Sequence, residues 1–410
     1  MSRQAARRGI GLLATGDWTH PLWVHHLQQE LTEWSDGIYQ SNKTPDGAKF
    51  LLSTELSFIF SQNGKTRRIH LLVFAPNFEI VLKVIAELKK RHANLHSDGR
   101  PIIGMSCQNI AELIFSISEK CLIIPAHAWT PWFGIYGSKG GFDSLEEAFG
   151  SYSDHIYAIE TGLSSDPAMN WRIKELGNRE IVSFSDAHSP PKMGRELTFF
   201  KGSSTYSYND IYAAIAQRLT GKNSGELHVS HTIEFYPEEG KYHWDGHRAC
   251  NVVQSPAVTR KNGDICPVCG KPLTIGVEYR VDELANHEVT PEKIPDKNDV
   301  IFYHHPTDKT RAPFIKLVPL QEIISEVEQK GVSSNTVQKK YDALIEKLGD
   351  ELKILLMANR QEIGDPLLAE AIFKVRRGEL HIEPGYDGVY GKVEIPLERN
   401  EKVGEQVGLF

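Results

Sequence analysis

Ser185-Asp186-Ala187-His188-Ser189 is the stretch whose reading decides the fold. Ahead of it, Glu180-Ile181-Val182-Ser183-Phe184 alternates and is β-branched enough to read as a short buried strand. Asp186 and His188 therefore stand just past the strand's carboxyl end, where an i, i+2 pair points both side chains the same way. A carboxylate with an imidazole suits zinc, manganese or iron, provided that other ligands converge on them. Working outward, Pro125-Ala126-His127 follows the apolar run Cys121-Leu122-Ile123-Ile124, and His70 lies in the strand-like Arg68-Ile69-His70-Leu71-Leu72-Val73-Phe74. Glu55 sits in Leu51-Leu52-Ser53-Thr54-Glu55-Leu56, and Asp17 with His20 follows Ile10-Gly11-Leu12-Leu13-Ala14-Thr15-Gly16. Taken singly, each is more readily a hydrogen-bonded core or loop residue than a ligand. Taken together they fit a parallel barrel, which collects its strand ends at one catalytic face.

The series Thr15-Gly16-Asp17, Thr54-Glu55-Leu56, Ile69-His70-Leu71, Pro125-Ala126-His127 and Ser185-Asp186-Ala187-His188 resembles the metal-ligand series of the polymerase and histidinol phosphatase (PHP) superfamily. Longer runs resemble endonuclease Q in particular: Gly16-Asp17-Trp18-Thr19-His20-Pro21, Ala126-His127-Ala128-Trp129-Thr130-Pro131-Trp132-Phe133 and Glu160-Thr161-Gly162-Leu163-Ser164-Ser165-Asp166-Pro167. The resemblance covers almost the whole length. It implies an α/β fold, a distorted TIM-like barrel that holds several metals, followed by a small zinc-ribbon-like domain and a mostly helical C-terminal domain. The family's opening strand, which carries a His-x-His pair, has no counterpart here, because Met1-Ser2-Arg3-Gln4-Ala5-Ala6-Arg7-Arg8 reads as the helix after it. The resemblance therefore implies an N-terminally truncated barrel lacking its first strand, with impaired catalysis.

As activity, it implies nicking of DNA on the 5′ side of deaminated bases (uracil, hypoxanthine) and of abasic sites during DNA repair, by two-metal phosphodiester hydrolysis. Glu55 would bridge metals, His70 and His127 would complete one site, Asp186 another, and Asp17 with His188 a third, with Glu55, Asp186 and His188 acting in catalysis. The catalytic metals would be divalent Zn2+, Mg2+ or Mn2+. A deaminated base pairs poorly and is cheaper to flip into a pocket. Damaged DNA is the implied partner, and a sliding clamp a further candidate. The alternatives are a PHP phosphoesterase acting on a small phosphate ester or nucleotide, and a DNA-damage-binding protein that does not cut. A zinc lobe and a basic C-terminal segment speak against the small-substrate enzyme, which needs neither.

At 410 residues the length suits two or three domains, and 40% hydrophobic content is ordinary for a globular protein. A net charge of −7 excludes a basic nucleic-acid coat, so a DNA-binding face must be a local patch. No apolar run approaches the roughly 18 residues of a membrane span, and the N-terminus has no signal-peptide core, which reads as cytoplasmic with no membrane partner. Of the 5 Cys, Cys107 and Cys121 lie in apolar surroundings as buried thiols, and no disulfide is expected.

Three segments follow. In 1–236, the catalytic barrel, strand-like runs alternate with helical ones such as Pro76 to Arg91, with apolar Val81, Val84, Ile85 and Leu88. Directly after His127, Trp129, Trp132, Phe133 and Tyr136 precede Ser138 and Lys139. These aromatics are either core or a surface that stacks a base and touches a phosphate. Ser164 and Ser165 join them as candidate substrate contacts, against a plain turn with a helix cap at Asp166 before Pro167. In 237–312, His247-Arg248-Ala249-Cys250 and Cys266-Pro267-Val268-Cys269 are two knuckles at the interval of a structural zinc site, with His243 competing with His247 as fourth ligand. In 313–410, helical patterns run over Leu320 to Glu328 and Ser334 to Leu348. The basic, Gly- and Tyr-rich run from Lys374 to Gly391 is either a grip on a DNA backbone or a solvated helix end and turn.

Overall fold

The structure is a computed structural model that describes residues 1–97, 100–221 and 227–398. Its longest regular feature is an antiparallel hairpin of two ten-residue strands, Ser53–Gln62 and Lys65–Phe74. The hairpin closes over Asn63-Gly64, with φ of 53° and 73°. A two-residue turn of this kind needs two left-handed residues, and Asn-Gly supplies them at least strain. Ile102–Ile103 adds parallel to the first strand and Leu122–Pro125 antiparallel to the second, completing a four-stranded sheet. Beside it, Leu12–Ala14 runs parallel to Lys49–Leu51, and Ala158–Glu160 parallel to Glu180–Val182.

The fold is α/β, but its ladders are mixed. The strand bearing His70 runs antiparallel to both neighbours, which corrects the expectation of an all-parallel barrel. The cause is local: a two-residue turn can join only antiparallel strands, whereas parallel neighbours need a crossover of about a dozen residues. Helix Phe78–Lys90 covers the sheet, capped by Asn77, whose side chain accepts from the Ile80 amide at 3.0 Å. Its Val81, Val84, Ile85 and Leu88 pack in one core with Leu56, Phe58, Leu71 and Val73. Each such fully buried aliphatic side chain contributes roughly 1.5–3 kcal/mol.

A second core lies between a five-stranded sheet and the C-terminal helices. The sheet order is Leu197–Lys201, His228–Glu234, Phe314–Lys316, Ile301–His304 and Glu292–Pro295. It draws strands from all three segments into which the sequence divides. Ile233 and Ile315 of the sheet meet Ile323 of helix Leu320–Glu328, Leu344 of Asn335–Leu348 and Ile372 of Pro366–Arg377. The N-terminal helix Ser2–Arg7 is fastened here by a buried ion pair, Arg8 Nη1 to Glu351 Oε2 at 2.6 Å. Around the pair, Arg8 Nη2 donates to Gln321 and the Pro191 carbonyl, and Glu351 accepts from Tyr341 and the Leu320 amide, while Arg8 Nε is buried without a partner. Added hydrogen bonds to both ions are what make a buried ion pair tolerable. No helix among the described residues is long and apolar enough to cross a membrane.

Candidate metal centre and its surroundings

Three adjacent strands bring Glu55, His70 and His127 together. In the hairpin Ser57 stands opposite His70, so Glu55, two residues earlier on the same face, is its diagonal neighbour. His127 follows the next strand by two residues, and the Ala126 amide donates to the His70 carbonyl. The result is a tight triangle: His70 Nδ1 to Glu55 Oε1 is 2.7 Å, His127 Nε2 to the same oxygen 3.4 Å, and the two ring nitrogens 3.0 Å apart. Ligands held ~2.0–2.2 Å from one ion stand about 3.3 Å apart in a tetrahedral shell. The residues fit a divalent ion if the closest pair spreads by about half an ångström. Burial works against charge on Glu55, yet hydrogen bonds from His127 and His70 hold its carboxyl far below the usual range. Burial lowers His70. Burial also opposes charge on His127, but Glu55 outweighs it and raises that imidazole.

The surroundings fix the orientation of His127. Thr130 Oγ1 reaches the His127 and Trp132 carbonyls at 3.0 Å, and carbonyls only accept, so the hydroxyl spends its proton there. Its oxygen then accepts from His127 Nδ1 at 2.8 Å, leaving Nε2 directed at Glu55, the outer hydrogen bond that orients a ligating histidine. The ring of Phe133 lies 4.3 Å from that of His70, and the Phe133 carbonyl accepts from the His70 amide. His127 has φ of 33°, and Asp17 and Asp186 share this left-handed backbone with φ of 47° and 43°. Such conformations cost about 1–3 kcal/mol each and cluster at functional sites.

Two residues that sequence reading missed support the His127 backbone. Glu160, fully buried at the end of its strand, accepts the His127 amide, and burial pushes its carboxyl up to about 7. Gly162 has φ of 58°, and a Cβ there would stand 2.6 Å from the His127 Cβ. Glu160 was findable, because it obeys the same strand-end rule as the other carboxylates.

Asp17, Asp186 and His188 lie outside the group whose ligand atoms fall within 4.8 Å of one another. Asp186 and His188 follow their strand as the sequence predicts, with side chains 38% and 65% exposed. His188 Nδ1 meets the Asp186 carbonyl at 3.0 Å. A carbonyl only accepts, so the ring proton sits on Nδ1 and Nε2 is left bare. That nitrogen faces Arg100 Nη2 at 3.3 Å, while Arg100 Nη1 stands 3.3 Å from Glu55 Oε1 and 3.5 Å from His70 Nδ1. Arg100 thus links the triangle to His188. No local signal marks it, since it lies in an irregular stretch and owes its place to the tertiary fold.

The aromatic loop divides between its two readings, which corrects Trp129 and Tyr136 as candidate substrate contacts. Trp129 and Tyr136 are fully buried and stacked on each other at 4.8 Å. Trp129 donates to Asn170 at 2.6 Å and Tyr136 to Glu175 at 2.8 Å. They are core. Trp132 remains 38% exposed and meets the Tyr242 ring edge-on at 5.1 Å, and Lys139 is exposed. Ser138 turns to the Ile275 carbonyl at 3.4 Å. Ser165 is also corrected: it is fully buried and donates to the Thr161 carbonyl at 2.8 Å. Beside it the turn-and-cap alternative forms, with Asp166 accepting from the Met169 amide at 3.0 Å, while Ser164 is half-buried.

The second cluster is His247, Cys250, Cys266 and Cys269, with ligand atoms all within 4.8 Å of one another. The hairpin of Asp245–His247 with Val252–Gln254 presents the first pair. The second pair sits on a tight turn in which the Gly270 amide, at φ of 71°, donates to the Cys266 carbonyl. Cys269 Sγ lies 3.4 Å from His247 Nδ1, near the ~3.6 Å that a tetrahedral zinc with Zn–S of about 2.3 Å and Zn–N of about 2.0 Å requires. His243, the competing ligand, lies elsewhere: it is buried, with Nε2 3.6 Å from Glu278. Helix Val277–Leu284 fastens this lobe to the aromatic loop, with Arg280 donating to the Tyr136 and Phe142 carbonyls.

Residues 319–379 match the family described as the MJ0043 C-terminal domain. Protein MJ0043 of Methanocaldococcus jannaschii is 30% identical over 287 residues, 69% of this chain and 33% of that protein's length. Protein YqxK of Bacillus subtilis is 30% identical over 408 residues, covering 94% of this chain and 89% of YqxK. Among solved structures, the lesion-specific endonuclease of Pyrococcus furiosus superposes with a TM-score of 0.80 at 29% identity, over 96% of this chain and 89% of that one. Endonuclease Q, solved with a 27-mer duplex carrying an abasic lesion at its active site, superposes with a TM-score of 0.79 at 30% identity, over 96% and 90%. With identity spread over nearly its full length and with the helical C-terminal domain included, the chain belongs to the endonuclease Q family.

Proposed function

We propose that the chain is a metal-dependent DNA repair endonuclease that nicks damaged duplexes on the 5′ side of abasic sites and of deaminated bases such as uracil and hypoxanthine. One observation carries the reading. The convergent Glu55, His70 and His127 lie in a chain that matches, over 96% of its length, an endonuclease solved with an abasic-lesion duplex at its active site. Glu55, His70 and His127 would hold a divalent ion, with Asp186 and His188 as candidate further ligands beside them and Asp17 as another that the resemblance suggests. Such an ion would polarise a phosphate oxygen and make water acidic enough to attack phosphorus.

The protein's own residues do the rest. Thr130 holds the His127 ring with Nε2 inward, and Glu160 holds its backbone. Asp186 and His188 stand at the open edge, where the DNA strand would arrive, and His188 Nε2, which faces Arg100, would accept a proton or a ligand there once Arg100 moved aside. Exposed Trp132 is the ring available to stack on a base, worth roughly 1–3 kcal/mol. Lys139 is the neighbouring cation for a phosphate. His247, Cys250, Cys266 and Cys269 would hold a structural zinc whose closed shell leaves no catalytic position.

The test uses end-labelled duplexes that carry one abasic site, one uracil or one hypoxanthine, with Mn2+ present and an undamaged control. A nick 5′ to the lesion that is lost with chelator and in Glu55→Gln is the expected result. Hydrolysis of a small phosphate ester with every lesion duplex left intact would replace this reading with that of a small-substrate phosphoesterase.

A further inference from the structure

The guanidinium of Arg100 stands where a metal centre least tolerates a fixed positive charge. Glu55 Oε1, the oxygen shared by His70 and His127, also receives Arg100 Nη1 at 3.3 Å. The other arm of the fork lies 3.3 Å from the bare Nε2 of His188. Arg100 thus satisfies one carboxylate and one imidazole, both of which would be wanted by an ion. Its side chain is 35% exposed whereas Glu55 is 15% exposed, so the arginine approaches from the solvent side and has room to leave. A guanidinium cannot give up its proton, so repulsion from a dication can be relieved only by movement. Once off Glu55, its planar fork would lie at the mouth of the site, with the geometry that matches two oxygens of a phosphate.

We propose that Arg100 is a positioning residue with two partners: it holds Glu55 and His188 in place before a metal binds, is displaced by the metal, and then grips a phosphate of the DNA strand. This deepens the endonuclease reading and rests on it for the second partner only. The displacement step is a property of the site alone.

The test compares Arg100→Gln, which keeps the size and loses the charge, and Arg100→Lys, which keeps the charge and loses the fork, with the unaltered protein. Free Mn2+ is counted by its electron paramagnetic resonance signal in a titration without DNA. A thiolate-rich zinc shell does not take Mn2+, so this ion reports the Glu55 site. Removing a unit charge beside a dication should tighten Mn2+ binding by about tenfold or more in Arg100→Gln, and much less in Arg100→Lys. With Mn2+ saturating, affinity for an abasic-site duplex should fall in Arg100→Gln, and the salt slope should drop by about one phosphate contact. Arg100→Lys should keep the slope. Unchanged Mn2+ affinity in Arg100→Gln overturns the proposal whatever the DNA does. Tighter Mn2+ binding with unchanged DNA affinity and salt slope overturns the phosphate role. If the unaltered protein with metal binds no damaged duplex, the endonuclease reading fails, and tighter Mn2+ binding in Arg100→Gln still supports displacement.

Discussion

Gly162→Ala is the change that most directly tests how the triangle of Glu55, His70 and His127 is held. Gly162 sits at φ of 58°, and an added Cβ would lie 2.6 Å from the His127 Cβ, 2.7 Å from its Cα and 3.7 Å from Glu160 Oε2. Two costs follow. An alanine in the left-handed region loses roughly 1–2 kcal/mol. Ordinary carbon contacts lie at about 3.5–4.0 Å, so His127 or the Gly162 turn must move by about 1 Å, which overpacking data place at roughly 1–3 kcal/mol. The expected loss of stability is therefore about 2–5 kcal/mol, measured by urea unfolding.

Gly64→Ala provides the control. Its φ is 73° with nothing within 4 Å of the added Cβ, so only the backbone cost of roughly 1–2 kcal/mol applies. A functional constellation tolerates a misplacement of only about 0.5 Å. Gly162→Ala should therefore also weaken Mn2+ binding by about tenfold or more, as loss of an outer-shell support does. Gly64→Ala should leave it unchanged. Equal stability losses in the two variants, with metal affinity intact in both, would refute the packing of Gly162 against His127.

The aromatic loop gives a paired test: Trp129→Ala should cost about 3–5 kcal/mol of stability, whereas Trp132→Ala should leave the melting temperature nearly unchanged and weaken binding of an abasic-site duplex. A large melting shift for Trp132→Ala with unaltered DNA affinity would place that ring in the core instead. Cys266→Ser should release one zinc by metal analysis and loosen the lobe to proteolysis, with Mn2+ binding at the Glu55 site retained; an intact protein without zinc would refute the assignment. His231 gives the pH prediction, since burial lowers its imidazole to about 4. As pH falls below about 6.5 the unfolded chain takes up a proton that the folded chain refuses, so stability is lost between about 6.5 and 4. His231→Phe, beside Phe199 at 4.3 Å, should therefore stabilise the protein by about 1–2 kcal/mol at pH 5 and little at pH 7.5; an equal effect at both pH values would remove the titration argument.

Much of this molecule was legible in its sequence, because the decisive signals are local. Alternation around Glu180 to Phe184 gave the strand that presents Asp186 and His188, and the 3.6-residue repeat of Val81, Val84, Ile85 and Leu88 gave the helix Phe78–Lys90. The interval between the two knuckles named Cys250, Cys266 and Cys269, because a ligand turn is set by neighbouring residues. What remained open depends on residues far apart in the chain. Spacing left His243 and His247 equal, and only the packing of the lobe separates the buried His243 from His247, which joins the three cysteines. Four aromatics in one loop look alike in sequence, yet Trp129 and Tyr136 are core because Asn170 and Glu175 come to meet their polar atoms. The antiparallel setting of the His70 strand makes Glu55 and His70 diagonal neighbours, and Arg100 arrives from an irregular stretch that no periodicity describes. The sequence by itself therefore determined the element types and the residue types offered at the strand ends and knuckles, since both follow from near neighbours along the chain. Which side chains share one small volume was decided by the tertiary structure alone, because long-range strand pairing and burial act on pairs that no local pattern joins.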